Sequence, residues 1–393
     1  MAHIGLLTTG FPRNAHDISG HFVGGFARAL AARGHTIDVL APAAAPPQRD
    51  MTHMPAGVRL LPIRYALRPA AQQLFYGAGV PDNLKARPLL APQLATLAAM
   101  MYRRARQLAP NWQAVISHWA LPCALIASEA APQLPHLAVC HSADVFALTR
   151  PYLLLRGLRQ RIADRARALW FVSEQARTQF TRDLVLNATR SHVQPMGCDP
   201  LPALERAAAR RQAKLKEGRF TALTLARLVP IKGIEAAIIA VRESPEIDLV
   251  IAGDGPERPR LQQLASGCDR IRFTGDVFAD DKRALLLGAD VLLVTSKQLS
   301  SGRVEGMPTS IIEAMNAGLP VIAARTGGIS DWLQHRHNAW LLDVASAQAI
   351  ADALVALKGN PRLRKDLVVA ASRLAQRQHW HQLAPQIEQL LWG

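Results

Sequence analysis

Cysteine is scarce in this 393-residue chain: Cys123, Cys140, Cys198 and Cys268 are scattered, and no two form a C-x-x-C pair. That excludes a disulfide framework and the usual zinc modules, and it suits a reducing cytosol. Aromatic residues are only 5%, too few for a platform that stacks nucleic-acid bases, and zinc-finger spacing, an RNP-like aromatic string and basic heptads are all absent. No run of about 18 uninterrupted apolar residues occurs, so no membrane span is expected. The opening MAHIGLLTTG has no basic n-region and reaches Gly10 and Pro12 early, so no signal peptide is expected either. No G-x-G-x-x-G follows the first apolar run, which excludes the dinucleotide fingerprint. Acidic residues are also few, 30 against 46 Lys+Arg, for a net charge of +16. Residues 1–200 hold 21 basic and 10 acidic side chains (+11), and residues 201–393 hold 25 and 20 (+5). A basic first half calls for an anionic partner, and with nucleic acid set aside an acidic membrane surface fits best.

What is present is a core-forming composition, 49% hydrophobic and 19% charged, in a chain long enough for two domains. Short apolar runs alternate with helical patterns: HIGLLT, a helix over Phe22–Arg33, HTIDVLA, then QAVISH, HLAVCH and ALWFVS. After about residue 200 the alternation restarts with RFTALTLA, IDLVIAG, IRFTG, DVLLVTS and LPVIAA. Strand–helix alternation predicts parallel βαβ units and doubly wound α/β sheets. Two Rossmann-like domains are therefore expected, residues 1–196 and 203–375, with a linker at Met196–Pro202 where glycine and two prolines break both patterns. Ligands of such sheets bind beyond the carboxyl ends of the strands, so two facing domains would enclose a cleft.

The most informative stretch is Ser300–Gly328, SSGRVEGMPTSIIEAMNAGLPVIAARTGG. Glu305 and Glu313 lie eight positions apart. Pro308 suits the first turn of a helix, Thr309 and Ser310 can offer hydroxyls to its amides, and Gly318 is placed as its stop. LPVIAA follows as a strand buried on both faces. A loop entering a helix after Gly306 presents N–H groups and a positive dipole end to a phosphate. Ser310-x-x-Glu313 also fits a capping box, in which the glutamate only ties down a backbone amide.

EGMPTSIIEAMNAGLPVIAARTGG resembles the donor-sugar motif of family-four retaining glycosyltransferases, a GT-B group that builds bacterial surface polysaccharides and lipid-linked glycans. The chain matches that family elsewhere too. LARLVPIKGIE places Arg227 and Lys232 five apart after a strand and resembles the segment that holds the nucleotide phosphates. IAGDGPER is a further match, in which Asp254 reads as turn chemistry. G-x-F-V-x-x-x-A-x-x-L-x-x-x-G-H resembles the family's opening, and implies that Gly24 and Gly25 let an acceptor and the diphosphate approach a helix start. His118 closes QAVISH, and His141 with Asp144 forms an H-x-x-D string that in the family lies next to the donor sugar. The closing HWHQLAPQIEQLL resembles a last helix, within 376–393, that crosses back to the first domain. Between them Pro151–Trp170 carries Arg156, Arg159, Arg161, Arg165 and Arg167 among leucines, and Arg103, Arg104 and Arg106 form a second basic cluster. A basic amphipathic helix of this kind is expected to lie on an anionic bilayer.

The resemblance implies a GT-B fold, two Rossmann-like domains facing a central cleft, and retaining transfer of a sugar from a UDP-, GDP- or ADP-sugar to a hydroxyl of a lipid-linked or cell-surface glycan. His141, Glu305, Arg227 and Lys232 would carry the reaction. Gly24, Gly25, His118, Asp144, Gly306, Met307, Thr309, Ser310 and Glu313 would bind substrate, Glu313 at the ribose hydroxyls and Glu305 at those of the hexose. Two fixed cations and helix amides would meet the leaving diphosphate, so no metal and no cofactor is expected. No covalent nucleophile is assigned. The expected location is the cytoplasm, with a place on the inner face of the cytoplasmic membrane. Two rivals use the same donor class: a nucleotide-sugar 2-epimerase, and a non-catalytic binding subunit, whose usual sign would be loss of Glu305, Glu313, Arg227 or Lys232.

Overall fold

Apolar runs become strands here because both faces of each sheet are covered. In the computed structural model, which describes residues 1–14, 17, 19–44, 54–77, 79–149 and 153–393, every strand pairing is parallel. One unit comprises Met1–Gly197 together with Trp380–Gly393, and the other Cys198–His379. The first holds β1 (His3–Leu7), β2 (Thr36–Pro42), β3 (Val58–Ile63), β4 (Ala114–His118), β5 (His136–Cys140), β6 (Ala168–Phe171) and β7 (Ser191–Val193), in the sheet order β3-β2-β1-β4-β5-β6-β7. The second holds β8 (Phe220–Leu225), β9 (Ile247–Ala252), β10 (Ile271–Gly275), β11 (Val291–Val294), β12 (Val321–Ala324) and β13 (Trp340–Leu342), in the order β10-β9-β8-β11-β12-β13. β4, β5, β6, β9, β11 and β12 are buried at every position, which is why they read as mainly apolar runs rather than alternating ones; the polar exceptions, Ser117, His118, His136 and Asp248, are buried too. Three strands absent from the sequence reading, β3, β7 and β13, all lie at sheet edges.

The last helix, Trp380–Trp392, returns to the first unit: Trp380, Leu383, Ala384, Ile387 and Leu391 are buried in one cluster with Ile4, Phe26 and Leu30. Each fully buried side chain of this size contributes roughly 1.5–3 kcal/mol. Arg33 adds a two-pronged contact to Glu388 (2.6 and 2.7 Å), and His35 Nε2 lies 2.8 Å from the same carboxylate. The preceding helix, Pro361–Arg377, belongs to the second unit.

The basic segment at 151–170 differs from expectation. Its first two residues lie outside those described, and the helix runs Leu153–Arg165. Arg159 is buried and donates to the carbonyls of Gln179, Phe180 and Arg182; Arg156 donates to Asp183 O, Arg161 pairs with Glu129, and Arg167 donates to Gly393 O. Arg159 is therefore a structural tie between helix and loop, while Arg156, Arg161, Arg165 and Arg167 remain exposed. Among the described residues no helix is long and apolar enough to cross a membrane.

Candidate active site

In each sheet the strand order reverses once, between β1 and β4 and between β8 and β11. Loops at the carboxyl side of such a switch point diverge and leave a crevice, the usual ligand site of open α/β sheets. In the second unit the two loops meet there closely. β8 leads through Ala226–Val229 to the turn Pro230–Lys232, and the helix Ile234–Arg242 starts after Gly233. A Cβ on Gly233 would lie 2.3 Å from the carbonyl oxygen of Thr295, just past β11. Thr295 Oγ1 donates to the Lys232 carbonyl at 2.9 Å.

Lys232 Nζ lies 2.6 Å from Glu305 Oε1, both side chains being about one-sixth exposed, 16% and 15%. The Ser296 hydroxyl donates to Glu305 Oε2. An ammonium carries three donors, so one bond to Glu305 orients Lys232 and leaves donor capacity for an anion. The Glu305 backbone is clamped as well. Gly328 N–H donates to its carbonyl at 3.3 Å, and Gly327 (φ 54°) approaches that oxygen so closely that a Cβ would sit 1.7 Å away. The double glycine that closes the motif is therefore a steric requirement of Glu305's position.

The helix Thr309–Asn316 follows at once. Pro308 stands one residue outside it, as the extended N-cap (φ −61°, ψ 128°), not in its first turn. An extended cap suits proline, whose ring sets this φ and whose absent N–H is not needed there. Glu313, one face of that helix, has its Oε1 2.6 Å from Lys282 Nζ on the helix Ala279–Gly288. Met307 is buried in the cluster with Ile311 and Met315, so its side chain is packing and only its backbone can face a ligand. Gly306, Thr309, Ser310 and Arg227 are half-buried, Arg227 two residues beyond β8. Asp254 is turn chemistry: its Oδ1 accepts from Gly255 N–H at 2.7 Å and its Oδ2 from Arg258 at 2.6 Å.

Sequence reasoning missed Ser296 and Lys282. Ser296 lies just beyond strand β11, which was itself a signal of a switch-point loop. Lys282 carried no signal, because in DVFADDKRA it reads as one charge among several on a solvated helix.

In the first unit the structure brings His118, His141 and Asp144 together. His118 closes β4 and His141 follows β5 as N-cap of the helix Ser142–Leu148. His118 Nδ1 and His141 Nε2 are 3.2 Å apart with the rings stacked, Phe26 meets His118 edge-on, and Trp119 lies 4.8 Å from the His141 ring. The H-x-x-D string is a capping box: the His141 ring accepts from the Asp144 amide, and Asp144 Oδ2 accepts from His141 N–H at 3.1 Å. The same oxygen accepts from Ala120 N–H at 2.5 Å, fixing the loop after β4, where Trp119 takes φ 71°. A neutral imidazole has one donor and one acceptor nitrogen. Since the His141 ring accepts at the helix start, its Nε2 is the donor to His118 Nδ1, and the His118 proton sits on Nε2, buried without an acceptor among the described residues. Burial pushes His141 down to about 3 and His118 well below its ordinary value, so both are neutral at pH 7. Burial raises the Asp144 carboxyl to about 7, against the amides of Ala120, His141 and Val145.

Gly24 and Gly25 lie inside the helix His21–Ala32, past its first residues. A Cβ on Gly25 would lie 2.2 Å from Trp380 Nε1, so this glycine admits the last helix rather than a substrate; a Cβ on Gly24 would meet Pro12 Cγ at 3.2 Å. Among the described residues no group of three or more His, Cys, Asp or Glu side chains could hold a metal ion.

Comparison with known proteins agrees with this geometry. Residues 205–373 match the family model described as glycosyl transferases group 1, and residues 20–200 the one described as glycosyltransferase family 4. The chain is 33% identical over 291 residues to a GDP-mannose-dependent alpha-(1-6)-phosphatidylinositol monomannoside mannosyltransferase of Mycobacterium tuberculosis, covering 70% of this chain and 74% of the relative. It is 30% identical over 193 residues to the lipopolysaccharide core biosynthesis glycosyltransferase LpsD of Rhizobium meliloti, 48% of this chain and 51% of the relative. Its fold is similar to that of Anabaena HepE in complex with UDP-glucose, with a TM-score of 0.72, 19% identity, and coverage of 100% and 99% of the two chains. From these matches and from two Rossmann-like parallel sheets, each with its motifs at the switch point, the chain belongs to the family-four glycosyltransferases of GT-B fold.

Proposed function

We propose that this enzyme transfers a sugar from a nucleoside-diphosphate sugar to a hydroxyl of a lipid-linked or cell-surface glycan precursor, with retention of anomeric configuration. The observation that carries the reading is the Lys232–Glu305–Ser296 arrangement at the β8/β11 switch point, four residues before a helix start. Negative charge grows on the diphosphate as its bond to the sugar breaks. Lys232, Arg227 and the helix end at Thr309 and Ser310 supply positive charge to it without further reorganisation, and this needs no metal. Glu305, held on both its carboxylate and its carbonyl, takes the hexose hydroxyls, and Glu313 those of the ribose. His118 and His141, both neutral, form with Asp144 a rigid set of donors and acceptors for sugar hydroxyls. Support for the donor class comes from the M. tuberculosis relative, named as GDP-mannose-dependent, and from HepE, whose structure holds UDP-glucose. Support for the acceptor comes from the same relative's name, which specifies a phosphatidylinositol monomannoside. A cytoplasmic enzyme at the inner membrane face fits that acceptor and the basic first unit.

A thermal-shift screen with UDP-, GDP- and ADP-sugars should single out one donor by a raised melting temperature. Incubation of that donor with a glycolipid acceptor should then yield a product whose anomeric configuration, read by NMR, equals the donor's. An epimerised sugar nucleotide formed without acceptor would replace this reading with the epimerase, and an inverted product would remove retention. Glu313→Ala should lower kcat/KM by about 100-fold, if its contact strengthens by about 3 kcal/mol in the transition state.

A further inference from the structure

Glu313 stands on the helix Thr309–Asn316, one turn beyond Thr309 and Ser310. Side chains of a helix tilt toward its N-terminus, so this carboxylate leans back toward the end at which the diphosphate is placed. It is not spent on capping. The N-cap is Pro308, which has no amide hydrogen, and the third helical residue is Ile311, so the capping box that the sequence allows does not form. Instead Oε1 of Glu313 lies 2.6 Å from Lys282 Nζ, with 13% and 26% of the two side chains exposed. Lys282 sits in the first turn of the helix Ala279–Gly288, which opens on Ala279 at φ 36°, a left-handed value that strains a residue with a Cβ. The Phe278 carbonyl accepts from the Asp281 and Lys282 amides at 3.0 and 3.3 Å, closing that turn. The two helices do not need the ion pair to dock: Ala284, Leu285 and Leu286 are buried in one cluster with Ile311, Ile312 and Met315, and a partly buried ion pair adds little net stability. Nor is Lys282 occupied on its own helix, where Asp280 pairs with Arg283 at 3.1 Å.

We infer that Lys282 is a positioning residue for the donor: acting through Glu313, it holds the carboxylate in the orientation that accepts from two vicinal ribose hydroxyls, and so sets the preference of the site for a ribonucleotide. This rests on the placing of Glu313 at the ribose. A carboxylate has about four acceptor sites, so a bond from Lys282 at Oε1 fixes the plane of the group and leaves capacity for a diol. A glutamate without that bond turns about three side-chain torsions and must be ordered anew each time a donor enters. With the bond in place the ordering is already done before binding, which is how a residue that touches no ligand strengthens a contact to one.

The test is calorimetric titration of the full chain with UDP, GDP and ADP and with their 2′,3′-dideoxy counterparts, which lack both hydroxyls. The quantity read is the ratio of the two dissociation constants for the nucleotide that binds. Wild type should prefer the ribo form. Lys282→Met should lower that preference about tenfold and leave affinity for the dideoxy form unchanged. Lys282→Gln keeps an uncharged donor, about half as strong, and should lower it about threefold. Glu313→Gln should lower the preference as well, and Lys282→Met added to it should lower it no further. Where Lys282→Met alone does not fold, Lys282→Gln and the double variant, which strands no charge, carry the same comparison. Equal weakening of both nucleotide forms would make Lys282 a structural or phosphate contact and overturns the assignment. So does an unchanged preference, or a double variant that loses the product of the single effects, because Lys282 then touches the ribose itself. A wild type that binds nucleotide without preferring the ribo form removes Glu313 from the ribose and Lys282 with it, whereas a wild type that binds none of the three refutes the donor reading as a whole.

Discussion

Replacing Lys232 by Met tests the centre of the site, because the structure sets how large the consequence should be. The ammonium lies 2.6 Å from a Glu305 carboxylate that is 85% shielded and has, among the described residues, Ser296 as its other side-chain partner. Removing one member of an exposed pair costs under about 1 kcal/mol, and of a fully buried pair about 3–5 kcal/mol. At this depth roughly 2–3 kcal/mol is expected, for stranding a carboxylate away from water. Since about 1 kcal/mol shifts the melting temperature by 2–4 °C in a domain of 150–250 residues, Cys198–His379 should melt about 5–10 °C lower. Glu305→Gln on top of Lys232→Met removes the stranded charge and should return most of that stability, without restoring turnover. Calorimetry is the assay, because it can resolve separate transitions in a chain of two units. A Lys232→Met melt within about 1 °C of wild type, or a double variant destabilised by the sum of the singles, refutes the pair as an organising contact.

Gly25→Ala should destabilise the first unit by more than about 2 kcal/mol, since its Cβ would lie 2.2 Å from Trp380 Nε1; donor affinity should be unchanged. A stable Gly25→Ala, or one defective only in donor binding, would return this glycine to the substrate. The buried histidines give a sign for the pH dependence. His118, His136 and His141 have values held below those of the unfolded chain, His136 and His141 at about 3, so the stability they allow is present above about pH 6.5 and lost as the pH falls. Asp144, raised to about 7, works oppositely: its contribution is present below about pH 4 and lost as the pH rises. Three against one, stability should fall toward acid between about pH 6.5 and 4, and Asp144→Asn should steepen that fall by about 1.4 kcal/mol per pH unit. An unchanged slope in urea titrations would refute the raised carboxyl.

How far these features could be read in the chain depended on whether neighbours in space were neighbours in sequence. Interior strands such as β6 and β11 are legible because burial on both faces leaves only apolar residues, ALWF and VLLV. The edge strands β3, β7 and β13 need no such purity: VRLLPI contains a charge and a proline, and SHV and WLL are three residues long. His141 and Asp144 share one helical turn, so their pairing was written locally. Lys282 and Glu313 come from two helices 31 positions apart, and no pattern along the chain announces them. The same limit explains Arg159. The leucine spacing of Leu153–Arg165 suggested an open amphipathic face, but the carbonyls that take up this arginine lie 20 or more positions downstream. Gly25 misled for another reason: its partner is Trp380, far along the chain, and a glycine made for an indole looks in sequence like one made for a ligand.

The return of Trp380–Trp392 to the first unit also dictates an order of events during synthesis. The second unit is one unbroken segment and can close as soon as it has left the ribosome, whereas the first waits for Trp380–Gly393. Until they arrive, Phe26 and Leu30 lack their covering helix, and of the two units the one begun first is completed second.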